Sequence, residues 1–73
     1  MKISEETLKA VENQMDIYRN RITTYNVSIE KLEKMQTNEV VRKSIEGYKK
    51  QVDFLLEKIT VLNNDLKFLK ELS

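Results

Sequence analysis

Apolar residues recur in two ladders, one in each half of the chain, and each keeps alternating steps of three and four without a fault. The first is Leu8, Val11, Met15, Tyr18, Ile22, Tyr25, Ile29 and Leu32; the second is Val41, Ile45, Tyr48, Val52, Leu55, Ile59, Leu62, Leu66 and Leu69. Steps of three and four put every member on one stripe of an α-helix, whereas a half-buried strand needs steps of two. A stripe two positions wide in seven is the seam of a coiled coil, and it requires a second stripe to pack against. The ladders therefore specify an all-α chain. They name no substrate and no partner.

The phase between the ladders decides the architecture. With Leu8, Met15, Ile22 and Ile29 at heptad position a, the residues Val11, Tyr18, Tyr25 and Leu32 fall at d. A continuing helix would carry its seam onto Gln36, Glu39 and Lys43, all polar. The second ladder instead resumes with Val41 at d, two residues out of phase, a slip that is neither of the insertions a continuous coiled coil absorbs. The helix is expected to stop there, with Thr37 or Asn38 capping the next one. The expectation is one domain over residues 1–73, with helix 1 over about 4–35, a loop over about 36–39 and helix 2 over about 40–72. Gly47, the single glycine, falls inside helix 2 off the seam, where it costs about 1 kcal/mol relative to alanine. The rival is one continuous rod that dimerises in parallel.

Folding the ladders back on each other tests the hairpin. When partner numbers add to 77, every rung of the first ladder finds one in the second, from Leu8 with Leu69 to Leu32 with Ile45. Each tyrosine then meets a β-branched residue: Tyr18 with Ile59, Tyr25 with Val52, Tyr48 with Ile29. Large side chains face smaller ones, as close packing requires. The same register brings Glu5 near Lys70 and Glu33 near Arg42 at flanking e positions. The fold class is thus an antiparallel two-helix hairpin of coiled-coil type.

Two helices share one seam, so a second apolar line becomes informative. Phe54, Val61 and Phe68 occupy c positions of helix 2, with Leu72 one turn beyond; Ala10, Ile17 and Thr24 occupy c positions of helix 1 on the same side. Such a patch is larger than a monomer is expected to leave in water. Its residues, Ala10, Ile17, Phe54, Val61, Phe68 and Leu72, are the candidate association face. Self-association as a four-helix bundle or a higher helical oligomer is the first expectation, and a groove for a helix of another protein the second. Leu56, Val27 and Val40 are single apolar residues that need no such account.

Composition removes most chemistry. Among 73 residues there is no cysteine and no histidine, so thiolate ligands, disulfides and the usual general base are lacking. Carboxylates such as Glu30 and Glu33, or Asp53 and Glu57, have helical spacing but belong to solvated faces. No glycine-rich phosphate loop, EF-hand or Glu-x-x-His pattern occurs. The expectation is no catalytic, cofactor or metal site, and no enzyme. Thirteen basic and twelve acidic side chains give a formal charge of +1, too balanced to predict nucleic-acid or membrane binding. The start, Met1-Lys2-Ile3-Ser4-Glu5-Glu6, lacks the apolar run of a signal peptide, and no stretch approaches the roughly 20 apolar residues of a membrane span. A cytoplasmic protein is expected by default. Charge is nonetheless uneven: the loop half is basic and the first turns acidic. Arg21 faces Lys58 across the seam at g positions, and with Arg19 these form a candidate anion site for a nucleic acid, a signalling nucleotide or an acidic peptide. The expected function is a small regulator, inhibitor or adaptor acting by protein binding; the alternatives are that anion binder and a structural assembly piece. Size and composition resemble those of small phage or mobile-element regulators, and no motif assigns a family.

Overall fold

In a computed structural model, which describes residues 4–72, the two ladders become α1 (Glu5–Glu33) and α2 (Glu39–Leu72), packed against each other as a hairpin. Met1, Lys2, Ile3 and Ser73 lie outside the described residues. The extents, 57 × 15 × 11 Å, are those of two side-by-side helices; one continuous helix of this chain would reach about 110 Å at 1.5 Å per residue.

Capping explains where each helix begins. The Ser4 hydroxyl accepts the Thr7 N–H at 3.2 Å and its carbonyl accepts the Leu8 N–H at 3.2 Å, which satisfies donors that a first turn leaves free. Glu5 and Glu6 follow in that turn, where negative charge complements the helix dipole. Of the two expected caps for α2, Asn38 takes the role. Its Oδ1 accepts the Val41 N–H at 2.9 Å and its carbonyl the Arg42 N–H at 3.0 Å. The helix therefore starts at Glu39, one residue earlier than expected.

The end of α1 also differs. It stops at Glu33 instead of running to about 35, and the Met35 N–H turns back to the Leu32 carbonyl at 3.1 Å. Leu32 is the last residue with a seam to enter, so the polar residues beyond gain nothing by staying helical. The connection is residues 34–38, a common length for antiparallel helices.

Burial follows the ladders closely. Every ladder residue is buried or half-buried, with Met15 (3% exposed) and Leu55 (4%) deepest and Ile29, Val41 and Leu66 close behind. A fully buried aliphatic side chain contributes about 1.5–3 kcal/mol, so these positions hold the hairpin. The only other half-buried residues described are Gln14, Ser28 and Ser44, and all three are at g. The e flank carries Glu5, Glu12, Arg19, Glu33, Arg42, Lys49 and Lys70, all exposed.

Two contacts between the helices fall on either side of the expected register. The Tyr25 and Tyr48 rings meet at 5.6 Å between centroids, tilted by 34°; they belong to adjoining rungs and meet between them. Lys70 pairs with Glu12 at 3.8 Å instead of Glu5. The Cα–Cβ bonds of a helix tilt toward its N-terminus, so in an antiparallel pair Glu12 and Lys70 lean toward each other whereas Glu5 and Lys70 lean apart. Glu33 and Arg42 lean apart for the same reason and form no ion pair. Gly47 has no heavy atom within 4 Å of where its Cβ would be, so no part of the hairpin requires a glycine there.

Candidate interaction face

Helix periodicity sets which side chains remain outside once the seam has closed. Position c lies next to g on the helical wheel and away from the charged e flank. On α2 that line presents Phe54, Val61 and Phe68, which remain 52%, 56% and 61% exposed. Leu72 is about half exposed, and on α1 Ile17 is 45% exposed and Ala10 is exposed as well. All six residues expected on this face therefore lie at the surface.

Several details make the face more apolar than its composition implies. The Thr24 hydroxyl donates to the Asn20 carbonyl at 3.1 Å, so its hydrogen-bonding capacity is used within α1 and its methyl group remains to meet a neighbour. Of the g residues, Gln14, Ser28 and Ser44 are half-buried and uncharged, whereas Arg21, Gln51, Lys58 and Asp65 are exposed. Val40 lies two heptads before Phe54 on the same c line and is 75% exposed; spacing alone could have joined it to the patch. Ile17, Asn20, Arg21, Thr24 and Tyr25 line a shallow concavity on the α1 side, which the ladders did not reveal because it depends on side-chain shape.

The three cations proposed as an anion site do not gather. Arg19 is at e, across the seam from the g positions, and its guanidinium pairs with Asp16 at 2.9 Å. The Lys58 ammonium lies over the Phe54 ring, 5.1 Å from its centroid, a contact of about 0.5–1 kcal/mol at an exposed site. Arg21 borders the shallow concavity. Neither Arg21 nor Lys58 has a carboxylate partner among the described residues. Two unpaired cations thus border the apolar line, and the third turns away.

Among the described residues no cluster of acidic side chains has the arrangement of a metal site, and no helix is long and apolar enough to cross a membrane. No protein-family model, curated protein or solved structure matches the chain.

Proposed function

We propose that this chain is a small, non-enzymatic protein-interaction module of coiled-coil type that acts through its c/g face and associates with itself through it. The observation that supports this is the contrast between two apolar lines. Every seam residue is at least half-buried, whereas Ile17, Phe54, Val61, Phe68 and Leu72 form a second line left open to water. Exposed aromatic and aliphatic side chains in one row are a common mark of an interface. Large aromatic anchors dominate the energy of such contacts.

The test separates folding from association. Phe54→Ser with Phe68→Ser removes the anchors without touching the seam, so far-UV circular dichroism should keep its helical signal while sedimentation velocity shows an oligomer falling to monomer. Loss of helix in the double variant would show that these residues serve the fold. A wild-type chain that remains monomeric at high micromolar concentration would remove self-association, and the same face would then have to serve a different protein.

A further inference from the structure

The open face has a pattern of its own along the hairpin axis. In the expected register Ala10 is level with Phe68, Ile17 with Val61, and Thr24 with Phe54. The order is small with large, medium with medium, small with large, and it reads the same from either end about the Ile17/Val61 level. The adjoining g positions continue the pattern with charge. Gln14 and Asp65 share a level about 5 Å to one side of Ile17/Val61, and Arg21 and Lys58 share one about 5 Å to the other.

We infer that a second copy of this chain covers the face with its loop at the opposite end, related by a two-fold axis that crosses the hairpin at Ile17 and Val61. This arrangement rests on the self-association proposed above and specifies its geometry. The half-turn lays α2 across α2 of the copy, so the two Val61 side chains meet on the axis and each Phe54 meets the copy's Phe68. It also carries the Arg21/Lys58 level onto Gln14/Asp65 of the copy. The two cations without a carboxylate partner among the described residues thereby gain Asp65 and an amide as neighbours.

The alternative two-fold axis runs along the hairpin and keeps both loops at one end. It offers a better match of size, with Phe68 over Ala10 and Phe54 over Thr24. However, it brings Arg21 and Lys58 of both copies to one level, four cations facing each other inside an apolar contact. Charge decides between the two. Each buried unpaired charge weakens association by about a hundredfold or more and the alternative axis gathers four, whereas a size mismatch at a packed contact costs about five- to 150-fold. Area is sufficient in either case: a face 57 Å by 15 Å offers on the order of 850 Å², near the roughly 800 Å² per partner of a standard stable interface.

Because the chain has no cysteine, a Gln36→Cys variant carries one nitroxide label per copy at the tip of the loop. Double electron–electron resonance should give about 66 Å between labels, twice the distance from the loop end of α2 to the axis at Val61. Loops at the same end would give about 20 Å, the width of two stacked helices, and any distance nearer to that value overturns the arrangement while leaving self-association intact. A monomer in sedimentation at high micromolar concentration overturns the arrangement and self-association together. Charge supplies an independent reading. Lys58→Glu and Asp65→Lys should each weaken the dimer by about tenfold, as expected for an uncompensated charge pair, and the double variant should recover most of the loss. A Lys58→Glu chain that dimerises as tightly as the wild type, or more tightly, overturns the inference, because only the rejected axis places cations against Lys58.

Discussion

A methyl group added at position 47 meets no atom within 4 Å, so Gly47→Ala gains helix propensity without a clash. The expected gain is about 1 kcal/mol. For a domain of this size that raises Tm by about 4–8 °C in a thermal melt. The opposite expectation holds at Leu55, which is 4% exposed: Leu55→Ala should cost about 2–5 kcal/mol and unfold much of the population, read by urea denaturation. Tyr18 is half-buried, so Tyr18→Ala should fall at the low end of that range. Charge at this scale is directional. A double-mutant cycle on Glu12 and Lys70 should return a coupling of about 0.2–1 kcal/mol, whereas Glu5 and Lys70 should return none. Spacing placed Glu5 as the e residue near Lys70; what it does not carry is the tilt of the side chains, and the tilt selects Glu12.

At the scale of elements, both helices were readable from their ladders, and their limits only in part. A break between residues 33 and 40 follows from the two-residue slip of phase, because no continuous helix can keep both ladders on one stripe. Which residue caps α2 does not follow, since Thr37 and Asn38 both have a side-chain oxygen able to accept from a first-turn N–H. Asn38 does so, at 2.9 Å from the Val41 nitrogen. Asn38→Ala should therefore destabilise by about 1 kcal/mol, while Thr37→Ala should stay within about 0.5 kcal/mol of wild type in chemical denaturation. The Ser4 cap could have been read from a serine placed just before two acidic residues and the first ladder, a pattern typical of helix starts.

The molecule as a whole is a thin rod in which each helix shares one seam and keeps the rest of its surface in water. Such a rod has a maximum dimension near 57 Å. In the arrangement inferred above, the axis at Val61 lies about 33 Å from the loop end of α2, so a second copy lengthens the rod only to about 66 Å. Small-angle scattering should thus find a mass of two chains within a maximum dimension of about 65–70 Å, whereas a parallel dimer of continuous helices would reach about 110 Å. The candidate face was legible as a c-position line of Phe54, Val61 and Phe68. The half-burial of Gln14, Ser28 and Ser44 beside it was not, because it arises only once α1 and α2 lie side by side.

By itself the sequence determined the helical class, the break and the residues of the seam, because helix period and phase are local arithmetic along one chain. It also determined which side chains lie off the seam on the c line. Only the tertiary structure decided which ion pair forms between the helices and that two tyrosine rings meet between rungs. These outcomes depend on the reach and tilt of side chains brought near one another by the fold. Periodicity counts positions along the chain and contains no such distances.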